Sequence, residues 1–372
     1  MSSARSSVGA GGGGKGDSIW RRVWRVIDDR THLSALSYPV PRHANGLPYI
    51  LGGISVVGIV VLVATGIWLG QFYNPDPNHA HDSMHYIVEQ APLGKIVRGI
   101  HVWSANIVIV TILLHLARTF KTASYKRPRE VNWWTGLALL GLILAFTFTG
   151  TILKWDQEGF EALSHNLEIA KLIGVLGFWF SDTFSHSVPI LYRLYIAHVA
   201  ILPVLLIALL AAHLALVKVH GISPLPAVAD RAVDGGPAPE YGGSTFTHHV
   251  SRMALYGLIL LGVAAVLGLI WPPFFGEPPN PNVENTKPPW PFLPVYPLEG
   301  WFSVKALIWG PALIFGVLAI LPLADRNRYS SPRRRRIWIA FGVLFAAALV
   351  GLGIYAAVAP PVPHIPENMS GM

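Results

Sequence analysis

Seven apolar runs constrain the fold of this chain more than any other feature. Each is about twenty residues long, which is enough to cross a bilayer as a helix. Because lipid offers no hydrogen-bond partners to a bare backbone, such runs form helices rather than open strands. They cover residues 49–72, 97–119, 133–153, 191–217, 253–271, 303–323 and 337–358. We therefore predict an all-α integral membrane protein with about seven transmembrane helices.

The basic residues lie at alternate ends of these runs. Of the 28 Lys and Arg residues, 21 lie in the N-terminal segment, in 118–131, in 218–252 and in 324–336. The positive-inside rule places these segments in the cytoplasm, so the N-terminus is predicted to be cytoplasmic. We expect the cytoplasmic membrane of a bacterium or archaeon. Topology accounts for the net charge of +8, and we expect no nucleic-acid partner.

Composition and the positions of the runs predict five parts. They are a disordered Gly/Ser-rich tail at 1–19, a four-helix domain at 20–225, a linker at 226–248, a three-helix domain at 249–360 and a tail at 361–372. The tail at 1–19 has the low hydrophobicity of a disordered segment.

Four histidines lie inside the runs, in two pairs with similar spacing. His101 and His115 are fourteen positions apart, which is about 21 Å and about 40° of rotation on a helix. His198 and His213 are fifteen apart, about 22 Å and about 60°. Both helices run inward, so His101 is level with His198, and His115 with His213. Two facing imidazoles at each of two depths predict two non-covalent b-type haems in the four-helix part.

Histidines inside membrane helices also have other uses. A single intramembrane histidine is more often a hydrogen-bonded core residue or a proton relay than a ligand. Zinc needs clustered ligands, whereas each level offers two. Four histidines in two matched levels favour haem. Three more histidines, His79, His81 and His85, crowd an outer loop, where a solvated loop competes with a metal site.

Glycines repeat with the same period on the first and third runs. Gly52 and Gly66 are fourteen apart, and so are Gly136 and Gly150. The alternating helix direction places Gly52 and Gly136 at the His115/His213 level and the other two at the His101/His198 level. Glycine also serves ordinary close packing of membrane helices. The shared period favours notches that accept the edges of the porphyrins.

Three arginines lie near the histidines at the ends of these runs. They are Arg98, Arg118 and Arg193. Haem propionates need cations, so we expect these side chains to bind them. An interfacial arginine that extends its charged end to water would look the same in sequence.

Four segments carry a family resemblance. RGIHVWSANIVIVTILLHLAR, YKRPREVNWWTG, GTILKWDQEGFEA and YRLYIAHVAILPVLLIALLAAHLALVKVHGIS resemble the cytochrome b subunit of quinol:cytochrome c reductases. The WDQ triplet, VHGIS and the fifteen-residue histidine spacing are similar to the plastid-type bf branch. The chain from about residue 245 resembles subunit IV of that branch, here fused to the first part.

The resemblance implies a quinol site near the outer face, formed by the 154–190 and 272–300 loops. It also implies a quinone site near the inner face and electron transfer between them through two haems, coupled to proton translocation. The implied partners are a Rieske iron–sulfur protein, a c-type cytochrome or plastocyanin-like acceptor, and a second copy in a homodimer. The proline-rich 272–300 loop is expected to cover the outer site as an ordered lid.

The chain departs from the family at its usual Pro-Glu-Trp-Tyr motif. The residues here are Pro288-Pro289-Trp290-Pro291, so the Glu that takes a quinol proton is absent. Trp290 is kept as a candidate of the outer site. The candidate replacements for the missing acid are Asp156, Glu158, Glu161, His165 and Glu299, with Glu158 and Glu299 favoured. A buried carboxylate can be tuned for this role.

Two further expectations follow from the resemblance. At the inner site, His220 is the first candidate proton donor, and Lys218, His248, His249 and Arg252 are others. The plastid-type branch carries an extra haem attached through a cysteine. This chain has no cysteine, so no covalent haem is expected.

The sequence is compatible with three functions. The first is the core of a proton-translocating quinol:cytochrome c reductase. The second, favoured by the missing motif, is a di-haem module of a different redox complex. The third is a haem-bearing anchor without quinone turnover.

Overall fold

The protein is described here by a computed structural model that covers residues 19–31, 37–237 and 242–361. The two predicted tails, 1–19 and 361–372, lie almost entirely outside these residues. The first described element is an amphipathic helix, α1 (Ile19–Thr31), whose Trp20 and Trp24 are exposed.

Seven long apolar helices form the body of the protein, as predicted. Six of them begin and end within three residues of the predicted bounds, the fifth begins seven residues earlier than predicted, and each is long enough to cross a bilayer. They are α2 (Leu47–Gly70), α4 (Gly94–Lys121), α5 (Glu130–Lys154), α7 (Ile190–His220), α9 (Phe246–Ile270), α11 (Ala306–Ala324) and α12 (Arg336–Val358). The prediction of an all-α membrane protein with seven spans is confirmed.

Shorter elements connect these helices. They are α3 (Ala80–Glu89), α6 (Gln157–Leu172), α8 (Pro226–Val233) and α10 (Tyr296–Phe302). Two three-residue strands, β1 (Pro39–Pro41) and β2 (Gly243–Thr245), pair antiparallel. The described residues of the predicted linker 226–248 contain α8, β2 and the start of α9. Strands this short have too few residues to show an alternating pattern.

The long helices pack in two groups. Helix α2 packs along α4, and α9 packs against both, while α5 packs along α7. The first group is close enough for backbone contact, because a Cβ on Gly99 of α4 would lie 2.9 Å from Cα of Gly268 on α9. Small residues at membrane interfaces permit this approach. The two groups face each other, and each contributes one histidine-bearing helix, α4 or α7.

A buried charged cluster fixes the C-terminal helices to the α4–α5 loop. Nη2 of Arg335 lies 2.7 Å from Oδ2 of Asp325, and both side chains are fully buried. The Tyr125 hydroxyl donates to the same carboxylate at 2.7 Å. Breaking such a pair leaves an uncompensated buried charge, which costs about 3–5 kcal/mol. The cluster therefore couples the two parts of the chain at one end of the bundle.

Candidate functional site

The four membrane histidines form the two predicted pairs. His101 of α4 lies close to His198 of α7, and His115 of α4 lies close to His213 of α7. We call the end of the bundle that holds His101 and His198 the outer end, following the predicted orientation. The two-level arrangement expected from the spacing is present.

A π-helical turn at 197–201 explains why the two histidines of α7 are fifteen residues apart, whereas those of α4 are fourteen apart. A π-turn accommodates one residue more than an α-turn, and such turns are frequent at functional sites. His198 lies within this turn. The fifteen-residue spacing on α7 therefore offsets the histidines much as fourteen residues do on the regular α4.

Three of the four histidines bond through Nδ1 to a threonine hydroxyl. The pairs are Thr65 with His101 at 2.9 Å, Thr149 with His198 at 2.8 Å and Thr135 with His213 at 3.0 Å. Each hydroxyl donates its own hydrogen to a carbonyl of its helix, for example Thr149 to Ala145 at 2.8 Å. The hydroxyl oxygen therefore accepts from Nδ1–H, which leaves the lone pair on Nε2.

His115 is the exception to this pattern. Within the part of the chain that the structure describes, its buried Nδ1 has no hydrogen-bond partner. In the other three cases the threonine directly precedes a glycine, in Thr65-Gly66, Thr135-Gly136 and Thr149-Gly150. At the corresponding place on α2, Leu51 precedes Gly52. The imidazole of His115 is therefore held less firmly than the other three.

The four predicted notch glycines contact the histidine rings. A Cβ on each would meet the imidazole Cε1 of the histidine at its own level. The distances are 3.1 Å for Gly52 to His115, 3.4 Å for Gly66 to His101, 3.3 Å for Gly136 to His213 and 3.1 Å for Gly150 to His198. A larger residue at these positions would press on the imidazole rings, so glycine is needed there. The predicted contact between these glycines and a porphyrin edge stays a prediction.

This donor set fits a b-type haem at each level. Each level has two imidazoles, and three of the four rings have their tautomer set by threonine. Among the described residues, no protein group is hydrogen-bonded to Nε2 of any of the four. Iron in haem takes axial imidazole nitrogens of this kind.

The predicted arginines are engaged with backbone carbonyls. Arg98 donates to the carbonyls of Pro273 and Phe274 at 2.8 and 2.9 Å. Arg193 donates to the carbonyls of Trp179 and Ser181 at 2.5 and 2.7 Å. Arg118 donates to the carbonyl of Pro48 at 3.1 Å. Arg98 and Arg193 thus hold the outer loops in place, and their role toward propionates stays a prediction.

A cavity of about 280 Å³ lies at the outer end, beside α5. Phe148 and Thr151 of α5 line it, and Thr149 between them bonds to His198. Phe292 contributes an aromatic wall and contacts Phe148 edge-on, with ring centroids 6.1 Å apart. Most of its polar groups come from α6 and α10, and the covering loop adds Glu284 and Thr286. The surface of the cavity is mainly apolar. The same turn of α5 contacts the cavity through Phe148 and Thr151 and the outer histidine pair through Thr149.

Three predicted acids, Glu158, Glu161 and Glu299, line this cavity, and the first and last have different surroundings. Glu299 is 1% exposed, and its Oε2 lies 3.0 Å from Nε2 of His165. Glu158 pairs with Lys154 at 2.5 Å. Burial raises the pKa of Glu158 against the opposing effect of Lys154. Burial lowers the pKa of His165, but the hydrogen bond and charge of Glu299 outweigh it, so that this pKa is raised.

Two predicted outer-site residues do not line the cavity. Asp156 is buried as the N-cap of α6 and accepts from the backbone N–H of Gly159 and of Gly276, each at 3.0 Å. A carboxylate that satisfies backbone donors in this way has a structural role. Trp290 donates from Nε1 to Asn106 at 2.6 Å. Both side chains hold loops in place rather than line the cavity, and their role toward quinol stays a prediction.

The proline-rich loop forms one side of the cavity, and its role as a lid over a quinone site stays a prediction. Glu161 accepts from the backbone N–H of Asn285 and of Thr286, each at 3.0 Å. Gln157 donates to the carbonyl of Val283 at 2.6 Å. Glu161 was a candidate proton acceptor, but its carboxylate is engaged in holding this loop.

The inner candidates are spread over several places. His248 and Arg252 line an open cavity of about 620 Å³ with Arg42. His249 bonds to Asn45 at 3.1 Å. His220 does not line that cavity, and its carbonyl accepts from Arg129 at 2.9 Å. Among the described residues, no three or more metal-ligating side chains form a cluster that could hold a metal ion. This holds for His79, His81 and His85 of the outer loop as well.

Comparisons with known proteins agree with this geometry. A family model described as Cytochrome b(N-terminal)/b6/petB matches residues 106–278. The cytochrome b6 of Heliobacterium mobile is 35% identical over 190 residues, which are 50% of this chain and 89% of that protein. The chain belongs to the cytochrome b family. The resemblance expected from the sequence is confirmed, and membership implies b-type haem.

Two further similarities place this cytochrome b among membrane redox complexes. The menaquinol:cytochrome c reductase cytochrome b subunit of Bacillus subtilis (strain 168) is 32% identical over 218 residues, 54% of this chain and 97% of that one. A solved chain of a hyperthermophilic respiratory Complex III matches with a TM-score of 0.75 and 25% identity, over 93% of both chains. The chain is thus an integral membrane component of an electron-transport oxidoreductase, and its length agrees with a fusion of the two parts.

Sequence reasoning missed two features of the site. The threonine before three of the four notch glycines was visible in the sequence, and the pattern would have predicted the Nδ1 bonds. The pairing of His165 with Glu299 had no such signal, because 134 positions separate them and neither lies on a transmembrane helix.

Proposed function

We propose that this protein is the quinol-oxidising, electron-transferring subunit of a quinol:cytochrome c type reductase. It oxidises quinol near the outer face, moves electrons across the membrane to a quinone site near the inner face, and couples this transfer to proton translocation. A Rieske iron–sulfur protein and a c-type cytochrome or equivalent acceptor complete the complex, which we expect to be a homodimer in a bacterial or archaeal cytoplasmic membrane.

One observation carries the proposal. A single turn of α5 gives Thr149 to the outer histidine pair and Phe148 and Thr151 to an apolar cavity that contains carboxylates. Ligand sites are mostly apolar pockets with a few polar groups that fix orientation. A quinol is a flat aromatic ring with two hydroxyls and matches this description. It would bind one helix width from the outer redox centre.

Two bis-histidine haems would be held by this chain. His101 and His198 would ligate the outer iron, and His115 and His213 the inner iron, through Nε2. A bound b haem supplies reversible one-electron transfer at each level. The threonines orient the rings, and the glycines keep them free of steric contact. Moving one electron against the membrane potential costs about 2.3 kcal/mol per 100 mV, so this charge separation stores energy.

The candidates for the inner site lie at two places. We propose that His220 or the cationic group around His248 and Arg252 supplies protons to a reduced quinone. The positive charges of Arg42 and Arg252 in the inner cavity favour a quinone anion there. Separate substitution of His220 and His248 by Gln, with inner-haem reoxidation by added quinone as the readout, identifies which one contributes.

The proposal is tested by isolating the native complex. We expect a Rieske protein to copurify and a short-chain menaquinol to reduce the haems. A preparation whose haems menaquinol does not reduce would contradict the proposed function.

A di-haem module of a different redox complex is the second candidate. The missing Glu and Tyr at Pro288-Pro289-Trp290-Pro291 favour it. Copurification of a different redox subunit in place of a Rieske protein, with menaquinol still reducing the haems, would select this candidate.

A further inference from the structure

We propose that Glu299 and His165 together are the proton acceptor for quinol in the outer cavity, in place of the glutamate that this chain lacks in its 288–291 segment. The proposal rests on the proposed function, which supplies the quinol and its electron acceptors. It assigns the acid–base chemistry to two residues on different elements, α10 and α6.

The geometry of the pair meets the requirements of a proton acceptor. Both side chains line the cavity, and Glu299 is almost fully buried. Nε2 of His165 lies 3.0 Å from Oε2 of Glu299. At its other nitrogen, His165 donates from Nδ1 to the carbonyl of Glu161 at 2.8 Å. The ring is therefore fixed in the orientation that faces the carboxylate.

The pair can carry a proton between the cavity and the protein surface. Glu299 has almost no exposure to solvent, whereas the side chain of His165 is 20% exposed. A proton received at the carboxylate can pass along the 3.0 Å contact to the imidazole and leave from there. General acid–base groups act over such hydrogen-bond distances.

The other ionisable groups of the cavity are less suited to this role. Glu158 is held by Lys154 at 2.5 Å, so its negative charge is already compensated by a cation. Glu161 holds the backbone of the covering loop. Glu284 and Tyr296 also line the cavity, and the negative charge of Glu284 favours the protonated form of His165.

The proton and electron balance of the step is simple. A quinol O–H bond breaks as a carboxyl O–H bond forms on Glu299, and His165 then releases this proton outward. The second quinol proton follows by the same route. The two electrons leave to two one-electron acceptors, the iron–sulfur partner and the outer b haem. The product is the quinone.

The test uses the complete haem-loaded complex and a short-chain menaquinol. Haem reduction is followed by stopped-flow absorbance between pH 5 and 9 in wild type, Glu299→Gln, His165→Gln and Glu168→Gln. Glu168→Gln is the matched control, since Glu168 lies on α6 three residues from His165 but does not line the cavity. The haem spectrum of each variant reports its folding.

We expect Glu299→Gln to reduce the rate about a hundredfold, as loss of a general base does. In His165→Gln we expect a slower rate that no longer varies with pH in the range where histidine titrates. Glu168→Gln should match wild type in both respects.

A wild-type rate and pH profile in Glu299→Gln would overturn the proposal. Should that variant lose its haems, an unchanged pH profile in His165→Gln would overturn it instead. If menaquinol does not reduce the wild-type complex, the proposed function itself fails, which is a different result.

Discussion

Replacing Thr149 with Val tests the role of threonine in holding the outer histidine. Valine keeps the shape of the side chain but lacks the oxygen that accepts from Nδ1 of His198 at 2.8 Å. Thr149 is buried, so water cannot readily take the place of the hydroxyl. The Nδ1–H of His198 would then remain buried without an acceptor.

We expect Thr149→Val to weaken haem binding at the outer level and to raise the reduction potential of the outer haem. Leaving a buried donor unsatisfied costs about 1–3 kcal/mol, and loss of a partner that orients a metal ligand lowers metal affinity about 10–100-fold. An imidazole without this hydrogen bond donates less electron density, which destabilises ferric iron relative to ferrous iron. A tenfold change in a one-electron equilibrium is about 59 mV, so a two- to tenfold shift in favour of ferrous iron raises the outer-haem potential by about 20–60 mV.

The assay is an optical redox titration of the purified complex together with its haem content. Thr147→Val is the matched control, because Thr147 lies on the same helix and its hydroxyl donates to the carbonyl of Ile143 at 3.0 Å. The reasoning is refuted if Thr149→Val keeps both the haem content and the outer-haem potential of wild type. An equal shift in Thr147→Val would refute it as well.

Three further predictions concern other parts of the site. Leu51→Thr gives Nδ1 of His115 the acceptor it lacks, so the inner-haem potential should fall by about 20–60 mV in the same titration; a rise would contradict this. Gly136→Ala places a Cβ 3.3 Å from Cε1 of His213 and should lower inner-haem content, whereas Gly262→Ala, with open space, should not. The raised pKa of His165 stabilises the fold at pH values below about 6.5, and this contribution disappears as pH rises through the folded-state value. The thermal unfolding midpoint of the wild type should therefore fall as the pH rises above about 6.5, and that of Glu299→Gln should fall less. An equal pH dependence of the two midpoints would contradict this linkage.

Helix periodicity made the membrane part of the site predictable from sequence. Positions of His101, His115, His198 and His213 on regular helices convert directly into depth and angle. On the fourth run, the fifteen-residue spacing gives a rotation of about 60° on a regular helix, against about 40° on the second. The π-turn at 197–201 resolves this difference, and sequence does not reveal where a helix takes up an extra residue.

The outer cavity was harder to predict, because it is built from loops. Asp156 was expected to act on quinol, yet it precedes a helix and caps it, as Asp commonly does. Glu299 was one of several acids, and only tertiary structure shows that His165 faces it. Side chains on a fixed scaffold follow the period of their helix, whereas the partners of loop residues depend on how distant segments pack.

The central claim is that four histidines hold two haems, one above the other, in this chain. It is tested most directly by counting protohaem per chain in the purified wild-type protein and in His213→Leu. The account predicts two haems in the wild type and one in the variant, with the outer-haem spectrum retained. One haem or none in the wild type, or two in the variant, would contradict it.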